Sequence, residues 1–155
     1  MKTVEELETV LEKVRKDLEE LKKSKNGFEL TPKGWMPKHG ETYWIAHYNL
    51  NPTAFICDER GIDKNIIKYN RIFKTKKECE LYCDIQRAFR DASRKFVEGE
   101  NNYYISYYSP FKEIKINIHQ FNNNGILYFD SKETIQNLID KFGEENIKRY
   151  YLGVC

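Results

Sequence analysis

Residues 72–96 read IFKTKKECELYCDIQRAFRDASRKF. The stretch begins as the end of a strand, turns through Lys74 and Thr75, and becomes the most legible helix of the globular part. Thr75, Lys76, Lys77 and Glu78 make a capping box. The Thr75 hydroxyl can accept from the amide of Glu78, and the Glu78 carboxylate can reach back to the amide of Thr75. Tyr82, Ile85, Phe89, Ala92 and Phe96 then recur at spacings of three and four, so they share one helical face.

Strand-like, aromatic segments lie on both sides of this helix. Upstream, residues 41–48 (ETYWIAHY), 53–57 and 66–73 read as three strands. Downstream, residues 103–108, 113–121 and 126–129 read as three more. In the fifth, Ile114, Ile116 and Ile118 alternate with Lys115, Asn117 and His119, which predicts one buried face and one wet face. Residues 122–125 end in Asn-Gly and predict a hairpin turn. Asp130 and Ser131 with Glu133 cap a further helix whose apolar face is Ile135, Leu138, Ile139 and Phe142, and Gly143 ends it. Ile147, Tyr150, Tyr151 and Leu152 then predict a final docking strand.

This pattern predicts an α+β domain over residues 41–155 with a mostly antiparallel sheet. Its halves correspond. Tyr43-Trp44-Ile45 matches Tyr103-Tyr104-Ile105, and Phe73-Lys74-Thr75-Lys76 matches Phe129-Asp130-Ser131-Lys132. Each half reads as a βββα unit, about residues 41–99 and 100–155. A three-stranded meander and one helix leave apolar surface uncovered, so two copies could cover each other.

Residues 1–27 are a separate element. Val4, Leu7, Leu11, Val14, Leu18 and Leu21 follow a 3-4-3-4-3 spacing, a heptad seam among residues that are almost all charged. Thr3 with Glu6 is a second capping box. Acidic residues come early and Lys22, Lys23 and Lys25 late, which suits the helix dipole, and Asn26-Gly27 is a stop. So narrow a stripe must bury against something. Pairing with the same helix of a second chain, a homodimer, is favoured over packing on its own domain. Residues 28–40, with Pro32, Gly34, Pro37 and Gly40, read as a linker, with Trp35 and Met36 tacked onto the domain surface.

The formal net charge of +2 argues against both an obligate nucleic-acid coat and an acidic nucleic-acid mimic. No apolar run is long enough for a membrane span, and the charged N-terminus lacks a signal-peptide core, so a cytoplasmic protein without membrane contact is expected. Cys57, Cys79, Cys83 and Cys155 are then expected to be reduced.

No phosphate loop, dinucleotide fingerprint or HExxH motif occurs. Cys79 and Cys83 lie one helical turn apart but adjoin the apolar stripe, so they read as packing residues and not as metal ligands. Asp58, Glu59 and Asp63 lack EF-hand spacing. His39, His47 and His119 are isolated, leaving no partner for a nucleophilic thiolate. The reading is therefore a non-enzymatic protein with no catalytic residue, cofactor or metal. Two stretches could bind. Lys64, Lys68, Arg71, Lys74, Lys76 and Lys77 form a basic run interleaved with Tyr69 and Phe73, suited to nucleic acid or an acidic protein surface, or simply to a protected edge strand. Tyr103, Tyr104, Tyr107 and Tyr108 form a row more aromatic than alternation requires, a candidate interaction surface. His119, Asn117 and Lys115 make a further row on the wet face of the fifth strand.

Residues 35–44 (WMPKHGETYW), 73–80 (FKTKKECE) and 147–154 (IKRYYLGV) resemble small hypothetical proteins of phages and prophages of low-GC Gram-positive bacteria. Those share a W-x-P-x-x-G-E-x-Y-W opening, an F-x-T-x-x-E helix start and a K-x-Y-Y-x-G-V ending. The resemblance covers about residues 34–155. Such proteins usually carry Ala where Cys79 stands, which implies a small buried residue there. The resemblance implies a phage accessory protein that binds and inhibits a host protein or nucleoprotein, as an anti-defence (anti-CRISPR-type) inhibitor does. The alternatives are a nucleic-acid-binding regulatory dimer using the basic run, and a protein that sequesters a nucleotide signal between tyrosines.

Overall fold

The computed structural model describes residues 3–62 and 64–154, without the side chains of residues 20–25, 64, 67 and 69. The expectations for Leu21, Lys22, Lys23, Lys25, Asp63, Lys64, Tyr69 and Cys155 lie outside the described residues or side chains. The chain is α+β, and its contacts divide it into two units, Met1–His47 with Pro52–Cys79 and Tyr48–Asn51 with Glu80–Cys155.

The first unit opens with helix α1, Val4–Asn26. Its capping box is reciprocal: the Thr3 amide donates to Glu6 Oε2 at 2.9 Å and the Glu6 amide to Thr3 Oγ1 at 3.3 Å. Strands β1 (Thr42–Ala46), β2 (Pro52–Ile56) and β3 (Ile72–Phe73) form an antiparallel sheet in the order β2-β1-β3. Tyr43, Ile45 and Cys57 are its buried centre, with Trp35, Phe55, Ile62, Ile66 and Ile72 packed around them. The long third strand expected over residues 66–73 is not formed. Helix α2, Lys64–Tyr69, takes half of it, and only two residues pair with β1. Its β-branched composition favours a strand, but the helical turn closed by the Asn70 amide on the Ile66 carbonyl (2.8 Å) seats Ile66 against the centre, and packing outweighs propensity.

Residues 28–40 lack regular structure, yet they are strapped down. Thr31 donates through its amide (2.8 Å) and its hydroxyl to the carboxylate of Glu78, and its hydroxyl accepts from the Lys74 amide at 2.7 Å. Glu78 is buried. Half of the expected capping box is formed as read, the Glu78 amide donating to Thr75 Oγ1 at 3.3 Å. The Glu78 carboxylate has the further task of anchoring a segment 47 residues upstream.

Helix α3, Lys76–Ala92, continues from the first unit into the second. In the second unit Cys83, Ile85 and Phe89 are fully buried. Phe89 meets the Phe129 ring edge-on (centroids 5.9 Å) and stacks on Tyr151 (4.0 Å). The helix stops at Ala92, short of the expected Phe96. Arg94 instead donates its amide to the Tyr128 carbonyl at 2.7 Å, and Phe96 packs edge-on against Tyr128. Buried Asn102 holds the following turn, accepting from the Val97 amide and donating to the Val97 and Glu100 carbonyls.

Strands β4 (Asn102–Tyr108) and β5 (Glu113–His119) form an antiparallel ribbon joined by a turn at Ser109–Phe111, with Lys112 in the left-handed region (φ 52°). The sixth strand expected over residues 126–129 reduces to single bridges, Arg94 with Tyr128 and Tyr103 with Phe129. Helix α4, Lys132–Phe142, is capped by Ser131, whose hydroxyl accepts from the Thr134 amide at 3.1 Å. The Thr134 hydroxyl donates to Asp130 at 2.6 Å and holds that carboxyl below its usual range.

The final strand is also corrected. Residues 144–150 form helix α5, Glu144–Tyr150, with Ile147 and Tyr150 buried. Ile147, Tyr150 and Tyr151 have helical spacing, and the order Glu144-Glu145 to Lys148-Arg149 complements the dipole. Gly143 (φ 85°) joins the two helices in a backbone conformation that side chains resist.

Burial pushes the Tyr151 phenol up to about 12. The folded value lies above the unfolded value of about 10, so the neutral ring's contribution is fully present below pH ~10 and is lost as pH rises towards ~12. Tyr151→Phe keeps the stack on Phe89. It is expected to leave stability at pH 8 nearly unchanged and to remove about 1 kcal/mol of the wild type's loss between pH 8 and 11. Urea titrations of both proteins at the two pH values measure it; parallel alkaline losses would refute it.

Candidate interaction surfaces

The β4–β5 register sorts the tyrosine row onto two faces. Residues directly opposite in an antiparallel pair point the same way, and neighbours along a strand point opposite ways. Tyr103, Ile105 and Tyr107 stand opposite Ile118, Ile116 and Ile114. Tyr104, Ser106 and Tyr108 stand opposite Asn117, Lys115 and Glu113, and His119 ends that row opposite Asn102.

The isoleucine face is less buried than its alternation predicts. Ile105 is buried, but Ile114 and Ile116 are half-buried and Ile118 is 46% exposed. The reason is the ribbon's width. Helix α4 lies against β4, and β5 is an outer strand.

The other face is polar, aromatic and internally ordered. Lys115 Nζ sits 4.2 Å over the Tyr108 ring and 3.5 Å from Glu113. Asn117 donates to Ser106 Oγ at 2.7 Å. His119 packs against Tyr104 with centroids 5.0 Å apart. Phe111, 72% exposed on the turn, lies 5.5 Å from Tyr108. These contacts hold rings and donors in place, which lowers the entropy cost of presenting them to a partner. The partnership of Tyr104 with His119 was not legible in the sequence, because it depends on strand register. Phe111 sits in a turn, where no periodic spacing marks it.

The basic run is dispersed over several elements of the first unit. Lys68 lies on α2, Arg71 precedes β3, and Lys76 and Lys77 occupy the first turn of α3, all exposed. Arg71 lies over the Phe73 ring (5.6 Å) and Lys76 over the Trp44 ring (5.8 Å). Lys74 pairs with Glu29 at 2.9 Å.

No match was found to any protein-family model, curated protein or solved structure.

Cys57, Cys79 and Cys83 are buried. Among the described residues no cluster of three or more His, Cys, Asp or Glu could hold a metal ion. Asp58 is engaged by Arg60, which donates from its side chain (3.0 Å) and its amide (2.9 Å) and holds the carboxyl below its usual range. A cleft of about 410 Å³ is lined by Tyr107, Lys112, Glu145, Lys148 and Val154. Lys148 is already paired with Glu144 (2.8 Å) and Glu145 (3.2 Å), which raise its pKa and offset the positive charge an anionic ligand would seek. No helix among the described residues is long and apolar enough to cross a membrane.

Proposed function

We propose that this chain is a non-enzymatic phage accessory protein that docks on a host protein in the bacterial cytoplasm and inhibits it. The observation that carries this reading is the pre-ordered face of Tyr104, Tyr108, Lys115, Asn117 and His119 with exposed Phe111 beside it. Aromatic rings with a polar handle and a held cation are the composition of interface anchors. The phage setting rests on the three sequence motifs. The two βββα halves are read as copies of one unit: β3 flanks β1 as Phe129 flanks Tyr103, and a capped helix follows each. A homodimer through α1 completes the reading, because the described seam residues Val4, Leu7, Leu11, Val14 and Leu18 are 49–72% exposed in the single chain.

The test is affinity capture from a low-GC Gram-positive host with the tagged full chain, in three forms. Tyr104→Ala with Lys115→Glu is expected to weaken retention of the captured protein by roughly tenfold or more, the size of losing an interface anchor. Lys76→Glu with Lys77→Glu is expected to retain it. Unchanged capture by the first variant would remove the β4–β5 face from the reading. Loss only in the second, with steep salt dependence, would transfer it to nucleic-acid binding.

A further inference from the structure

We infer that α1 pairs with a second copy of itself in antiparallel orientation, an inference that rests on the homodimer reading above. Two independent features of the helix point this way.

The first is charge. From Thr3 to Glu12 there are four carboxylates, Glu5, Glu6, Glu8 and Glu12, and no cation; from Lys13 to Asn26 there are six cations against three carboxylates. A parallel pair sets acidic half beside acidic half and basic beside basic. An antiparallel pair sets each acidic half on its partner's basic half, and complementary potential of this kind fixes orientation.

The second is the seam and its flanks. With Val4 as position a, the a residues begin Val4, Leu11, Leu18 and the d residues Leu7, Val14. This departs from the β-branched a and Leu d preference of parallel two-stranded coils. In the antiparallel arrangement a layers face d layers, so Leu7 meets the partner's Leu18 and Leu11 meets the partner's Val14. A bulky residue is present in every such layer. The e positions then face each other, and Glu8 falls at the level of the partner's Arg15, twice by symmetry. In the parallel arrangement e faces g instead. Glu8 would meet Thr3 and Arg15 would meet Val10, so neither is paired, while Asp17 would meet Lys22; the polarity of the two halves and the seam, not the number of flank pairs, separate the two orientations.

The test is a charge-reversal cycle on the full-length chain: Glu8→Arg, Arg15→Glu and the double variant, with dimer dissociation measured by sedimentation equilibrium at low salt. Each single reversal turns two attractive contacts into repulsive ones and is expected to raise Kd roughly tenfold; the double variant is expected to return it to near the wild-type value. Restoration separates pairing from any effect on the helix itself. Single variants that dimerise like wild type, or a double variant that does not recover, would overturn the orientation and leave the dimer standing. A monomeric wild type would overturn the dimer reading as well.

Discussion

Phe89→Ala is expected to cost about 3–5 kcal/mol of stability, the largest effect of any single truncation considered for this chain. Phe89 is fully buried, edge-on to Phe129 and face-to-face with Tyr151 at 4.0 Å. Removing the ring forfeits its transfer free energy and leaves a cavity whose walls are two other rings. Aromatic walls relax poorly, because planar side chains have few alternative rotamers that fill the gap. A domain of this size has about 5–15 kcal/mol in total, so the variant would lie near its folding limit at 37 °C. Urea unfolding would show a large fall in midpoint with an unchanged slope. Phe89→Leu, which restores most of the volume, should recover about half of the loss. A loss below about 1 kcal/mol for the alanine variant would mean that this ring is not the centre of the second unit's core.

The second large effect is at Glu78. Glu78→Ala is expected to cost about 2–3 kcal/mol, because it strands donors rather than apolar volume. The Thr31 amide and hydroxyl both lose their acceptor in a part-buried setting. The first turn of α3 also loses a carboxylate that complements the helix dipole, where Lys76 and Lys77 already oppose it. Glu78→Gln keeps the shape and one acceptor oxygen and should cost about 1 kcal/mol. Pairing Glu78→Ala with Thr31→Val makes a double-mutant cycle. The combined loss should fall clearly short of the sum, since the second change removes a donor that the first had orphaned. Limited proteolysis adds a local readout: cleavage within residues 28–40 should quicken more than elsewhere. Strict additivity, or unchanged cleavage, would mean that the strap holds by other contacts.

Much of the second unit was legible. Of the face Tyr82, Ile85, Phe89, Ala92 and Phe96, Ile85 and Phe89 are fully buried and the others half-buried. Of the face Ile135, Leu138, Ile139 and Phe142, Ile135 and Leu138 are buried and the others half-buried. The caps at Ser131 and, in the first unit, Thr75 are where polar side chains precede periodic apolar ones. These readings succeed because helix periodicity and capping are local. Three expected strands are shortened or absent for a common reason. Residues 66–73, 126–129 and the chain end carry strand-like composition, but a strand exists only where a partner offers free backbone groups. At Ile66 a helical turn buries the side chain better. At Tyr128 the opposing chain is a single bridge. At Ile147 and Tyr150 the 3-4 spacing and the charge order favour a helix over the strand that the aromatic run suggests.

The candidate surfaces divide along the same line. The sequence alone determined the heptad seam of α1, its charge polarity and the richness in tyrosine of β4, because each is a matter of which residues recur at which interval. Only the tertiary structure decided what those residues can offer. Antiparallel register sent Tyr104 and Tyr108 to one face and Tyr103 and Tyr107 to the other, a choice that a slip of one residue would reverse. Packing dispersed the basic run over α2, the two flanks of β3 and the start of α3, and gave Glu78 to Thr31 instead of to its own helix end alone. Side chains far apart in the chain share a surface only through non-local pairing, and non-local pairing is what local spacing does not encode.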